Sequence, residues 1–416
     1  MGKLIGVLLL NLTLFCCFVD AQSQIPITYF GLHHQSTTNW PPLQVGDVRL
    51  FGTATGWAQI EPNCGGNYSW TRLDAFIAQA HANGVTDILY SPSMTPTCYS
   101  SNPIAACNVA PGACYAPSDA DSGNEHYQAF LIALIAHVGP GVIKVYEGWN
   151  EPQNSNFWKD NVAHLKIMQT TLYNVVQAHD PGALVGMPAG YLVGSNSCCI
   201  IQNLVSNGFG AISDINTFHG YYCNPEGIVG NISAIHSAYA AGGLDSRPLW
   251  KTEGGWGTTT GCTDSTNYPA DVARQYLLQW GLGVSRFYWY AYDNTVWGTL
   301  GSGQTLNGAG IAYREVSNWM VGASGGQCSS ASNIWTCDFT RTSPSGYQAK
   351  AVWYTAGTIS FTVPAGFTTE RDLSQKTVAV SGGQSIQIDG FPVLLESAQS
   401  STQSPQPPTG LAATVH

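Results

Sequence analysis

Residues 144–154 read KVYEGWNEPQN. The approach to them, VIKVY at 142–146, is short, apolar and rich in β-branched residues, and Pro152 ends the run, which predicts a buried strand over 142–150. It carries two glutamates, Glu147 and Glu151, in a chain where only 10% of residues are charged. On a regular strand, side chains two and four apart share a face, so Glu147, Trp149 and Glu151 are expected to point together. Glu147 then lies within the strand and Glu151 at its carboxyl end.

Seven similar runs surround this one: ITYFGLHH (27–34), DVRLFG (47–52), TDILYSP (86–92), ALVGMPAG (183–190), DINTFHGYY (214–222), PLWKTEGGW (248–256) and VSRFYWYAY (284–292). Helical patterns separate them. SWTRLDAFIAQAHANG (69–84), for example, has apolar residues at helical spacing and Gly84 as a stop. Eight strands alternating with helices over about 260 residues predict an α/β fold, a parallel (β/α)8 TIM barrel. Such barrels place reactive groups at the carboxyl ends of their strands, which favours Glu151 over Glu147.

After Trp319 the texture changes. NIWTCDFTRT, YQAKAVWYT, TISFTV, ERDLSQKTVAV and QSIQIDGFPVLLE alternate with Gly, Pro and Ser turns. They predict a small C-terminal antiparallel β-sandwich over 320–396, behind a barrel over 22–319. Residues 397–416 read as a Ser/Pro/Gln-rich linker or tail.

Residues 1–21 combine Lys3, an apolar stretch from Leu4 to Val19 and a small-residue cleavage site before Gln22, the pattern of a signal peptide. The expectation is a secreted protein, extracellular or periplasmic, monomeric and off the membrane after cleavage. Ten cysteines remain, an even number that predicts disulfides, with Cys328 and Cys337 as a local pair. None of their spacings suits zinc. A net charge of −10, with Lys and Arg scattered singly, excludes nucleic acid as a partner and weighs against strongly acidic substrates. Thirteen Trp and twenty Tyr exceed the needs of a core and suit stacking on sugar rings.

Glu151 needs a partner, and the strand ends offer Glu253 in LWKTEGGWG. The two lie 102 residues apart, three strand intervals of about 34, which fits strands four and seven. Gly254 and Gly255 would let a ligand approach the backbone. Two carboxylates facing across a barrel mouth beside tryptophans are what glycosidic bond cleavage requires: one protonates the leaving oxygen and the other attacks the anomeric carbon.

YEGWNEP and KTEGGW resemble the two signatures of glycoside hydrolase clan A. With Glu147 in the first motif and a trailing β domain, roughly residues 27–396 are most similar to family 39. Gly254 departs from that pattern, where a bulkier residue is common. The resemblance implies a retaining hydrolase of β-linked, or sterically equivalent, bonds in oligo- or polysaccharides, working without cofactor or metal. It implies Glu151 as acid/base and Glu253 as nucleophile. It matches Asn150 to a contact with the sugar 2-hydroxyl, and His219 and Tyr221 to a His-x-Tyr pair whose tyrosine supports the nucleophile. Arg49 resembles the arginine that keeps the nucleophile ionised, and Trp289 the aromatic floor under the reacting sugar. By position, Trp256 and His33 are read as further substrate contacts, Glu147 as structural support, Trp57 as core and Asp293 as a loop cap. A non-catalytic glycan-binding protein on the same barrel, or a transglycosylase, is the alternative.

Overall fold

The computed structural model describes residues 24–256, 262 and 268–398. The expected signal peptide, and the expected tail from 399 onward, lie outside the described residues. The eight predicted strands are all present: β1 Phe30–Leu32, β2 Asp47–Leu50, β3 Asp87–Tyr90, β4 Val145–Glu147, β5 Leu184–Gly186, β6 Asn216–Tyr221, β7 Leu249–Gly255 and β8 Val284–Trp289. They form one parallel sheet in the order β5-β4-β3-β2-β1-β8-β7-β6. Single parallel bridges, Gly186 to Ile215 and Gly190 to Phe218, join its two ends. The chain is therefore a (β/α)8 barrel, as its alternating pattern predicts.

The barrel interior is charged at both ends and apolar between. At the amino-terminal end Arg286 bridges Asp47 at 2.9 Å and Asp87 at 2.7 Å. Above it Leu89, Val145, Ile215, Trp250 and Tyr288 pack as one buried cluster. Toward the carboxyl ends, on the same inward faces, come Arg49, two residues beyond Asp47, and Glu147, two residues beyond Val145.

Among the described residues eight α-helices surround the strands: α1 Trp57–Ile60, α2 Thr71–Ala82, α3 Glu125–Val138, α4 Val162–His179, α5 Ile201–Ser206, α6 Ile228–Ala240, α7 Tyr268–Gly281 and α8 Gly308–Met320. The pattern at 69–84 forms α2, and Gly84 leaves it in the left-handed region at φ +78°. One regularity fails: no helix separates β1 from β2, and residues 33–46 cross as a loop.

A short hairpin, β9 Gly301–Ser302 with β10 Thr305–Leu306, precedes α8. Then follow β11 Ser324–Ala331, β12 Ile334–Arg341, β13 Tyr347–Tyr354, β14 Ile359–Thr362, β15 Phe367–Arg371, β16 Thr377–Ala379, β17 Ser385–Ile388 and β18 Val393–Ser397. Six of these make an antiparallel sheet in the order β11-β12-β13-β18-β15-β16, while β14 pairs with β17. Val352, Val363, Phe367, Ile388 and Leu395 belong to their shared core. The β domain is tied to the barrel by the Trp353 indole donating to Glu226 at 2.8 Å and the Trp280 indole donating to the Gly325 carbonyl at 2.9 Å. Ile25, ahead of β1, exchanges backbone bonds with Gly322 and Ala323.

Among the described residues five disulfides join Cys64 to Cys98, Cys107 to Cys114, Cys198 to Cys199, Cys223 to Cys262, and Cys328 to Cys337, the last being the expected local pair. The first four all lie in loops that follow strand carboxyl ends. They stiffen the face on which barrel enzymes carry their active sites.

Candidate active site

The opening stretch leaves regular strand geometry as soon as β4 ends. Trp149 turns away from Glu147, donating its indole N–H to the Phe157 carbonyl at 2.8 Å and packing edge-on against Trp158. Asn150 instead points inward, where its Oδ1 accepts Arg49 Nη2 at 2.8 Å. Glu147 and Asn150, three apart, thus share the interior, and the parity expected of a regular strand breaks. The next residue, Glu151, has a left-handed backbone at φ 41°, a costly conformation for a residue with a side chain. Ala54 and Met94, on the same cleft, share this feature.

Arg49, inward on β2 and fully buried, organises the mouth. It donates to Glu147 through Nε at 2.7 Å and lies 2.6 Å from it through Nη2, while Nη1 reaches Glu253 at 2.9 Å. Burial opposes its charge, but the carboxylates of Glu147 and Glu253 outweigh that and raise its pKa. Glu253, on β7, accepts this bond on Oε2 and the Tyr221 hydroxyl on Oε1 at 2.6 Å. Both of its oxygens are held, one by a charge-assisted bond.

Glu151 sits differently. Burial lifts its pKa above the ordinary carboxyl range, while the amide of Asn154, donating to Oε2 at 3.1 Å, and the charge of Arg49 pull the other way. Its Oε1 lies 3.0 Å from His219 Nδ1. Burial brings His219 down to about 4, so the ring is neutral at neutral pH and shares one proton with Glu151. His219 Nδ1 is also 3.9 Å from Glu253 Oε2, and an oxygen of each glutamate and a nitrogen of His219 all lie within 4.8 Å. Such a trio offers three ligands to a cation. The Arg49 guanidinium already supplies positive charge to Glu253, so the set suits proton and group transfer better.

The two glutamates open onto a cleft of about 630 Å³. Its walls include Phe51, Met94, Phe157, Tyr290 and Trp297, with Gln59, Asn108 and Asn154 as polar groups. The Cys107–Cys114 loop forms part of one wall, its Asn108 N–H bonded to the Asn156 carbonyl at 3.2 Å.

Glu151, Glu253, Arg49, Asn150, His219 and Tyr221 are brought together. Three other expected contacts are not on the cleft wall. Trp289 has no exposed surface and donates its indole N–H to the Gly298 carbonyl at 2.9 Å. Trp256 is 7% exposed and packs on Tyr268 at 4.9 Å. His33, on the mouth side of β1, is taken up by the Thr252 carbonyl at 3.0 Å and by the ring of Tyr290 at 5.0 Å. Trp289 and His33 find their polar partners on the backbone, and Trp256 packs among aromatic neighbours. Tyr290 and Trp297 supply the aromatic wall instead, Trp297 lying 4.8 Å from Tyr221. Trp57 is core and Asp293 caps a loop, accepting the backbone N–H groups of Gln35 and Ser36, as the sequence suggests.

The glycines beside Glu253 also serve another purpose than expected. A Cβ on Gly254 would lie 2.1 Å from Lys251 Cε and 2.3 Å from the Gly220 carbonyl oxygen, and one on Gly255 would lie 2.6 Å from the Tyr290 carbonyl oxygen. They make room for the protein's own chain and for the buried lysine, whose Nζ donates to Gln275 at 3.1 Å. The shifted register between Lys251 and Gly254 shows the same crowding.

No protein-family profile matches the sequence, and no curated protein matches it. Solved structures do share its fold. A family 39 glycoside hydrolase from the gut symbiont Bacteroides cellulosilyticus WH2 superposes with a TM-score of 0.71 at 16% identity, over 90% of this chain and 81% of that one. A monomeric beta-xylosidase from Caulobacter crescentus CB15 gives 0.65 at 14% identity, over 92% and 98%. A family 44 endoglucanase from Clostridium acetobutylium ATCC 824 gives 0.62 at 15%, over 91% and 98%. At these identities the likeness is one of fold: the chain has the barrel-plus-β-domain architecture of these glycoside hydrolases.

Proposed function

We propose that this protein is a secreted retaining glycoside hydrolase acting on β-linked oligo- or polysaccharides. The observation that carries the reading is the unlike pair of carboxylates in one cleft, each in the environment its role requires. Glu253, gripped by Arg49 and Tyr221, is the nucleophile: it attacks the anomeric carbon and forms a glycosyl ester. Glu151, raised by burial, holds the proton that the departing oxygen needs. In the second step the same residue, now ionised, takes a proton from water as that water displaces Glu253. An oxygen of Glu151 and one of Glu253 lie within 4.8 Å, which supports the closer spacing of double displacement, roughly 5 Å, over the wider one of an inverting enzyme. We assign the contact with the sugar 2-hydroxyl to Asn150, a reading supported by its anchorage to Arg49 beside Glu253. Five disulfides support an oxidising destination, and no helix among the described residues is long and apolar enough to cross a membrane.

The test pairs the parent with Glu253→Gln on a panel of plant and microbial β-glycans. Released sugars are followed by mass spectrometry and their first-formed anomer by proton NMR. We expect release by the parent with retained configuration, and a loss of about 10⁴-fold or more in the variant. An inverted first product would reject double displacement. Equal release by both proteins would remove Glu253 from the mechanism.

A further inference from the structure

The missing helix between β1 and β2 leaves a second cavity, of about 770 Å³, beside the barrel. It shares no lining residue with the catalytic cleft. Trp40 of the 33–46 loop lines it, together with the amides of Gln44, Asn83, Gln304 and Asn318 and with Arg314 of α8. Its lining contains no carboxylate.

Arg314 is the exception among this protein's arginines. All eight are described, and the other seven each donate to a carboxylate or a backbone carbonyl. Arg314 makes no hydrogen bond or ion pair with any described residue, and its Nε is buried without an acceptor. A chain with 25 acidic residues against 15 basic ones has partners to spare, so a half-buried guanidinium facing a carboxylate-free cavity is a fork left open.

We propose that this cavity binds an anionic oligosaccharide. The Arg314 fork takes a uronate carboxylate or a sulfate ester, the amides take ring hydroxyls, and Trp40 lies along a sugar face. One guanidinium answers one acidic group, so the site agrees with a sequence that lacks a basic cluster. Its role is to hold the protein on an acidic polysaccharide while the catalytic cleft stays free.

Binding is measured by calorimetry on the Glu253→Gln form of the mature chain, so that nothing is cut. The probes are an oligogalacturonate, an oligoglucuronate, a sulfated neutral oligosaccharide and its unsulfated counterpart. We expect one anionic class to bind, which distinguishes carboxylate from sulfate, and the unsulfated neutral chain to bind at least about tenfold more weakly. Arg314→Gln should weaken the anionic ligand about tenfold or more, and Trp40→Ala should weaken it too. In the unaltered protein, phenylglyoxal should label Arg314, and the bound glycan should protect it, a readout that needs no variant to fold. Failure of every anionic probe to bind, equal affinity for the neutral chain, indifference to Arg314→Gln, or labelling of Arg314 that the glycan leaves unchanged would each overturn the proposal. The outcome is independent of whether the cleft hydrolyses anything.

Discussion

The two ends of the barrel are built on the same device and do different things. At the lower end Arg286 joins Asp47 and Asp87, with the Trp250 ring 4.2 Å from its guanidinium. At the mouth Arg49 joins Glu147 and Glu253. Asp47 and Arg49 are two apart on one strand, so a single inward face of β2 contributes to both clusters. What the mouth adds is a cleft, a Glu253 carboxylate that lines it, and a third carboxylate with raised pKa on a strained loop. A buried arginine with two acids is thus a structural unit of this fold. What sets the mouth apart is that one of its acids also meets the cleft, beside a second carboxylate in a different environment.

Removing each arginine separates structure from chemistry and should give the largest effects. Arg49→Gln strands two buried carboxylates and should cost about 3–5 kcal/mol of stability together with nearly all activity. Arg286→Gln should cost about 3 kcal/mol or less, because Asp47 can keep a proton once its partner is gone. The folded fraction should keep its turnover within about twofold, since the Leu89–Tyr288 layer lies between this cluster and the reaction. Thermal melts and turnover per folded molecule decide it. A large loss of turnover in Arg286→Gln would mean that the apolar layer does not insulate the mouth.

Asn154 gives a subtler effect. Its amide favours the ionised form of Glu151, so Asn154→Ala should raise the pKa of that acid further. A general acid works while it holds its proton, so activity is lost as pH rises through this pKa. The alkaline limb of kcat/KM should therefore move to higher pH in Asn154→Ala, with less than about a tenfold loss at the optimum. A limb that stays in place would assign it to another group.

These residues were unequally legible. The strands were, because each is a short apolar run closed by Gly, Pro or a polar turn, and burial acts locally. The two glutamates followed from the spacing of the runs. Arg49, His219 and Tyr221 needed the clan resemblance, because contacts across a barrel leave no mark in the spacing of neighbouring residues. Trp149 shows where parity fails, once Asn150 bridges to Ala189, whereas on β8 alternation holds: Arg286, Tyr288 and Tyr290 share the inward face and Trp289, matched by resemblance alone, does not. Tyr290, one residue beyond Trp289, is the one on the wall. Strand β11, SGGQCSSA, lacked the alternation of its neighbours; pairing with β12, the Cys328–Cys337 bridge and the Trp280 indole recruit it.

The smallest expected effect is at Asp47, read against the same change, carboxylate to amide, at Glu147. Glu147 receives two nitrogens of Arg49 and offsets a charge that has no other route to water, so Glu147→Gln should cost about 3–5 kcal/mol. Asp47 meets a single nitrogen of Arg286, and burial pushes its carboxyl up to about 8 against the pull of that arginine. Near pH 7 an amide of the same shape then replaces a group that is largely protonated, and Asp47→Asn should cost less than about 1 kcal/mol. The sign of its pH dependence is fixed. Between the ordinary carboxylate value and about 8 the folded protein holds a proton that the unfolded chain has released, so the stability Asp47 contributes declines as pH rises through that window. Asp47→Asn lacks this slope, so its melting temperature relative to the parent should rise between pH 5 and pH 8. A constant gap would mean that Asp47 is ionised throughout, and that the lower cluster is as tightly paired as the mouth.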